Sequence, residues 1–164
     1  MNIRTVALAV FFGAALTMGG GAYGIGIGVQ FNGNAADVFY PGAALAVSPG
    51  NTTHLALNWN FRETSMLGVT MDVWAFNPKF GSFNGGRFGF FIGGGLYTNL
   101  VLYTDTVIFH GGFRFPIGFQ VLFGRDAFEI FFQGAPSIGL RFYPSFEGDN
   151  FFAPLAIGAR IWFR

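Results

Sequence analysis

The sequence contains no cysteine. That excludes disulfide staples, thiol chemistry and any zinc site built on thiolates. Lysine occurs once, at Lys79, and charged residues make up only 10% of the 164 residues. A soluble domain carries about 25%, so this chain has too few ions to coat a water-facing surface. The formal net charge of +1 provides no bulk attraction for nucleic acid. After the N-terminal stretch no apolar run reaches the length of a helical span, because Gly, Asn, Arg or Pro cuts each one. The chain is instead rich in Phe and Gly, with 24 and 26 copies, and is 52% hydrophobic. The combination points to lipid as part of its solvent.

The N-terminus has the organisation of an export signal. Arg4 supplies a positive charge, and residues 5–16 form a short apolar stretch. Gly19, Gly20 and Gly21 follow, with Gly20-Gly21-Ala22 or Ala22-Tyr23-Gly24 as a small-residue cleavage triplet. The apolar stretch is shorter than the ~20 residues of a retained span, and glycines break any helix after it. The expected organisation is a cleavable signal peptide over 1–22 and a single domain over 23–164, with no linker. The absence of cysteine is compatible with export.

From residue 23 onward the dominant period is 2, the repeat of a strand with two unlike faces. Ile25, Ile27, Val29 and Phe31 alternate with Gly24, Gly26, Gly28 and Gln30. Leu67, Val69, Met71 and Val73 alternate with Gly68, Thr70 and Asp72. Phe113, Phe115, Ile117 and Phe119 alternate with Gly112, Arg114, Gly118 and Gln120. Comparable alternation over 23–31, 40–47, 53–61, 66–76, 87–97, 107–123, 127–142 and 151–163 predicts eight strands. Turn residues separate them, including Asn32-Gly33-Asn34, Ser48-Pro49-Gly50-Asn51, Asn84-Gly85-Gly86 and Gly124-Arg125-Asp126.

One phase is bulky and apolar; the other is mostly Gly, Ala, Ser, Thr, Asn and Gln with a few charges. A soluble lipocalin-like barrel would point the bulky phase inward and coat the other with Lys and Glu. A membrane barrel points the bulky phase at lipid and fills its interior with the small phase. The glycine content of the second phase favours the membrane barrel, whose eight-stranded interior is just wide enough to be filled by side chains. The fold class expected is therefore all-β, an eight-stranded antiparallel up-and-down transmembrane barrel.

The C-terminal run Gly158-Ala159-Arg160-Ile161-Trp162-Phe163 resembles the terminal-strand signal of outer-membrane barrels, with Arg164 following the final aromatic. With the strand pattern over 23–163, the chain resembles the small barrels of the OmpA/OmpX type. The resemblance implies a bacterial outer-membrane location, outer-membrane lipids as the surroundings, and the barrel-assembly machinery as a partner during biogenesis. It also implies termini in the periplasm, with loops 32–39, 62–65, 98–106 and 143–150 outside and turns 48–52, 77–86 and 124–126 in the periplasm.

The candidate functional residues are the inward-phase charges Asp72, Arg87, Arg114, Glu129, Arg141 and Arg160, because ions at membrane depth are costly unless paired or wet. The expected braces are Asp72 with Arg87 and Glu129 with Arg160. Four arginines against two acids predict excess positive charge and anion preference along any path. Tyr40, Trp59 and Tyr97 are expected in an outer aromatic girdle and Phe163 in an inner one. Trp74 and Trp162 share the inward phase, where a girdle and a plugged mouth are both open. The leading function is a structural or surface role with a plugged or very narrow lumen. A small conduit for ions or apolar solutes is the alternative, and an outer-leaflet lipid-modifying enzyme a third. His110 faces inward with no Ser, Asp or Glu within two residues, and only a distant group such as Ser137 is left to serve it. No enzyme activity and no cofactor are expected.

Overall fold

A computed structural model of the chain describes residues 24–34, 42–60, 65–103, 105–148 and 151–163. The expected signal peptide, 1–22, and Tyr40 lie outside the described residues. The strands are β1 Ile25–Asn34, β2 Gly42–Pro49, β3 Thr53–Asn60, β4 Ser65–Phe76, β5 Lys79–Phe83 and β6 Gly86–Leu102. They continue with β7 Val107–Arg114, β8 Ile117–Phe123, β9 Phe128–Gly134, β10 Ser137–Tyr143, β11 Glu147–Gly148 and β12 Pro154–Phe163. The sheet runs β11-β10-β7-β6-β4-β3-β2-β1-β12-β9-β8, and β8 pairs back onto β6 to close it. Every pairing is antiparallel.

These segments form eight staves, the architecture of the small OmpA-type barrels. β4 and β5 both pair with β6, and so do β7 and β8. β9 and β10 form one stave, and β11 and β12 another, joined through a Ser137–Phe152 bridge. Three of the interruptions are chemical. Proline has no N–H, so a pair that includes it closes with one hydrogen bond instead of two. Gly93 N donates to Pro116 O (2.8 Å), Phe115 N to Pro136 O (2.9 Å) and Ala135 N to Pro154 O (2.8 Å), with nothing to return the bond. The register nonetheless continues: Gly95 faces Arg114 before Pro116, and Ile92 faces Ile117 after it.

The two phases separate as alternation requires. Phe113, Phe115, Ile117 and Phe119 are exposed, while Arg114, Pro116, Gly118 and Gln120 are buried. The same split holds along β9, where Phe128, Ile130 and Phe132 face out and Glu129, Phe131 and Gln133 face in. On β2 and β3 the outward-phase Val47 and Leu55 are buried, with Leu57 and Met71 packed against them.

Two expected loops prove to be strand. Residues 77–86 carry β5 and a two-residue turn at Asn84-Gly85, where Gly85 takes φ +90°. Residues 98–102 belong to β6, leaving a connection of 103–106. In both cases alternation continues past the turn-like residues, and pairing across a tall hairpin outweighs local turn propensity. The turn at 124–126 is left-handed throughout: Gly124, Arg125 and Asp126 all have positive φ.

Glycine in the inward phase lets neighbouring backbones close up. A Cβ on Gly93 would stand 2.1 Å from Val73 O, whereas one on the adjacent Gly94 meets nothing within 4 Å. Gly93→Ala is therefore expected to lose about 1–3 kcal/mol through overpacking, and Gly94→Ala to be close to neutral. Urea unfolding of the detergent-folded protein measures both. Equal losses would refute the assignment of the two glycines to opposite faces.

Candidate functional site

The inward phase converges on an aromatic cluster. Trp74 stacks on Phe91 with ring centroids 3.6 Å apart and planes 6° apart, and Phe131 meets Trp74 edge-on at 6.3 Å. All three are buried. The imidazole of His54 lies against the same indole, 3.6 Å between centroids. Arg160 caps the cluster, its guanidinium carbon 4.4 Å from the Phe131 ring centroid and 5.2 Å from that of Trp74. These bulky rings fill a cross-section that elsewhere is lined by glycine and small polar residues.

Polar groups are threaded through the cluster, and His54 Nε2, Trp74 Nε1 and Arg160 Nε have no hydrogen-bond partner. Arg160 Nη1 lies 3.3 Å from Glu129 Oε2, and the two residues are direct partners in the β9–β12 register. Trp162 Nε1 donates to the same carboxylate at 2.7 Å. Arg160 Nη1 also lies 2.9 Å from His54 Nδ1, with Ser48 Oγ at 2.8 Å from that nitrogen. A guanidinium only donates, so Nδ1 accepts and the ring proton belongs on Nε2. One layer further from the termini, Arg114 Nε stands 3.1 Å from Asp72 Oδ1, both side chains buried. Beyond this layer the lining turns to neutral amides: Gln30 Nε2 donates to Asn32 Oδ1, and Asn32 Nδ2 to Asn58 Oδ1, each at 2.8 Å.

The structure corrects the expected braces. Asp72 pairs with Arg114, not Arg87. The β4–β6 register places Asp72 opposite Gly95, which faces Arg114, while Arg87 lies at the foot of the hairpin opposite Ser82. Arg87 reaches Asp126 instead, in the β8–β9 turn. Arg141 sits at the far rim and pairs with Glu147 at 3.6 Å, both partly exposed. Each of the four arginines thus has its own carboxylate. The expected excess of positive charge is absent among them, because two of the partner acids sit in rim segments outside the strand alternation. Glu129 and Arg160 meet as described above.

The aromatic assignments divide. Trp59 and Phe163 are exposed on the outer face, each at 57%. Tyr97 is 3% exposed and points into the lumen, where its ring meets Phe152 edge-on. It shares its phase with Gly93 and Gly95, and phase outranks nearness to a strand end. Trp74 and Trp162 both face inward. Phe91 and Phe131 were not among the expected site residues; their signal is that they put bulky rings into a phase otherwise small or polar. Ser137 Oγ donates to Ala135 O at 2.7 Å and its residue faces Arg114 in the register, not His110. No group of three or more metal-ligating side chains occurs among the described residues.

Trp74 lines two cavities. One, of about 10 Å³, is bounded by His54, Asp72 and Arg160. The other, of about 100 Å³, opens at the end that holds the chain termini and is bounded by Lys79, Arg87, Asp126, Glu129 and Trp162.

Burial sets the cost of breaking these pairs. Glu129→Gln leaves a buried guanidinium without its counter-ion and is expected to cost about 3–5 kcal/mol. Arg87→Gln breaks a pair whose arginine side chain is 44% exposed and is expected to cost under about 1 kcal/mol. Denaturant titration of both variants in one detergent gives the ratio; a costlier Arg87 variant would contradict the placement of the core pair.

No protein-family model matches the chain, and no curated protein does. Among solved structures, the chain is similar to the N-terminal β-barrel domain of Pseudomonas aeruginosa OprF, at 13% identity and a TM-score of 0.41, covering 87% of this chain and 100% of that one.

Proposed function

We propose that the protein is a small integral outer-membrane barrel with a structural or surface role and a closed lumen. The observation that carries this reading is the distribution of side chains across the wall. Phe113 at 63%, Phe132 at 49% and Ile157 at 53% exposure would each forfeit roughly 1–2 kcal/mol of burial in water. In lipid the same surface is matched to its solvent, and the closed backbone ladder meets the requirement that no edge faces hydrocarbon. Outer-membrane lipids are then the principal partner. The terminal run Gly158–Phe163 is the segment offered to the barrel-assembly machinery, the termini lie in the periplasm, and residues 1–22 serve export.

Closure of the lumen rests on the plug. Trp74 separates the two cavities, and its stack with Phe91 and Phe131 is clamped by Arg160 and Glu129. Because the arginines are paired, no line of uncompensated charge runs through the barrel to favour an ion path. Apolar solutes meet a lining of amides and ion pairs, which suits them poorly.

Planar-bilayer recording tests closure. The wild-type protein is expected to give no resolved steps. The double variant Trp74→Ala/Phe91→Ala removes the stack and is expected to conduct, with retained heat-modifiable gel mobility showing that the barrel is intact. Steps of equal size in wild type and variant would overturn the closed-lumen reading. Recovery of the protein in the inner-membrane or soluble fraction would overturn its location.

A further inference from the structure

The barrel wall is uneven in height. From Ile27 a row of register partners runs through Val47, Leu55 and Met71 to Leu96 on β6. The other way it runs through Ile161, Phe128 and Phe123 to Gly86, also on β6. The row thus returns ten residues lower on the same strand (96 against 86), the stagger of a closed, tilted sheet. With a rise of about 3.3 Å per residue and a tilt of about 40°, each residue climbs roughly 2.5 Å along the barrel axis. On β1 the bulky outward run from Ile25 to Phe31 is then about 15 Å tall. On the staves β7–β8 and β9–β10 it is far taller. The outward positions from Phe123 to Val107 and from Phe128 to Phe142 hold only apolar residues, Gly or Pro, over about 35–40 Å.

The apolar band of an outer-membrane barrel is about 25 Å tall. Counted from Phe123 and Phe128 at the terminal end, it closes near the facing pair Phe113 and Ile138. Phe109 and Phe142 lie roughly 10 Å beyond, with Leu140 between. A higher band that reached them would strip Phe123 and Phe128 of lipid instead. The surplus forms a continuous patch. The ring centroids of Phe109 and Phe142 are 5.5 Å apart, and those of Phe142 and Phe146 6.2 Å. Phe109, Phe142 and Phe146 are all exposed, Phe146 at 72%. At about 200 Å² per phenylalanine these three alone leave roughly 300 Å² open, as much as the largest patch on many soluble proteins. Arg141 on β10 and Glu147 on β11 pair with each other at this rim.

We propose that the protein pairs with a second copy of itself along this tall side, with Phe109, Leu140 and Phe142 at the contact. The inference rests on the outer-membrane reading above. Copies in one membrane share orientation and therefore height. A two-fold axis along the membrane normal sets tall side against tall side, and each copy covers the other's surplus at the same level. An apolar patch whose rim ions are already paired is compatible with itself, as such an interface requires. The face continues without a break into the lipid-facing wall below. That extends the contact toward the roughly 800 Å² per partner of a standard interface. Mismatch between apolar height and bilayer thickness favours association in the same direction.

The sequence has no cysteine, so an introduced thiol is unique. Leu140→Cys marks the tall side and Val29→Cys the short one, both at exposed outward positions. The folded protein is reconstituted in phosphatidylcholine vesicles and treated with a short bis-maleimide. Cross-linked dimer is expected for Leu140→Cys and not for Val29→Cys. Adding Phe142→Ser and Phe146→Ser should lower the dimer yield at Leu140→Cys at least tenfold, with heat-modifiable gel mobility retained. Vesicles of longer-chain lipid submerge more of the patch and should lower the yield too. Equal yields at the two positions, no dimer at Leu140→Cys, or a yield unmoved by the serines or by lipid length would overturn the inference. Flotation with the vesicles separates this result from the location. A floating monomer overturns the pairing alone, whereas a protein that does not float overturns both.

Discussion

Closure of the sheet is the constraint from which the other features follow. Once β8 returns to β6, each stave has a neighbour on both sides, and each side chain must choose between the outside and a narrow interior. An eight-stranded interior leaves space for side chains and little else. The inward phase therefore has to be small over most of its height, which is why so many glycines fall there. Where glycine is replaced by a bulky group, as at Trp74, Phe91 and Phe131, rings occupy the interior at that level. The three proline-containing pairs show how strongly closure dominates. Each gives up a ladder bond, yet the register passes through all of them unchanged.

Filling a low-dielectric interior with ions demands compensation, and the protein supplies it locally. Glu129 receives Arg160 from the facing strand and Trp162 from two residues further on. Asp72 receives Arg114 across two seams of the sheet. Toward the rims the pairs become more exposed: Arg87 with Asp126 and Arg141 with Glu147. The burial of the pairs thus follows depth, and the two deepest are the ones whose loss would leave an ion uncompensated in a dry interior. It also assigns different roles. The Glu129–Arg160 pair lies against the aromatic cluster, whereas the rim pairs tether turns, among them the left-handed turn that carries Asp126.

Much of the wall was legible in the sequence because alternation reports directly on which side a residue faces. The phase of Phe113, Phe115, Ile117 and Phe119 needs no knowledge of neighbours. What alternation does not report is register, and register decides partners. Asp72 and Arg87 lie near each other along the chain, but the hairpin turns at Asn84-Gly85, so Asp72 meets the level of Arg114 instead. Asp126 and Glu147 sit in segments where no strand period marks their direction, and their importance emerges only from the folded rim. Tyr97 illustrates the reverse situation. Its inward phase was visible beside Gly93 and Gly95, and an assignment by nearness to the strand end sent it to the wrong face. The aromatic cluster is likewise foreshadowed by Phe91 and Phe131, which interrupt the small phase.

The account stands on the outward phase meeting hydrocarbon. Spin labels placed singly at Phe113, Phe132 and Ile157, with a fourth at the inward Gln133, test this in reconstituted lipid vesicles through collision with oxygen and with a polar nickel chelate. The three outward labels should collide readily with oxygen and rarely with the chelate, and the Gln133 label should be shielded from both. Free access of the chelate to the outward labels would mean that water covers that face, and would contradict the membrane-barrel reading.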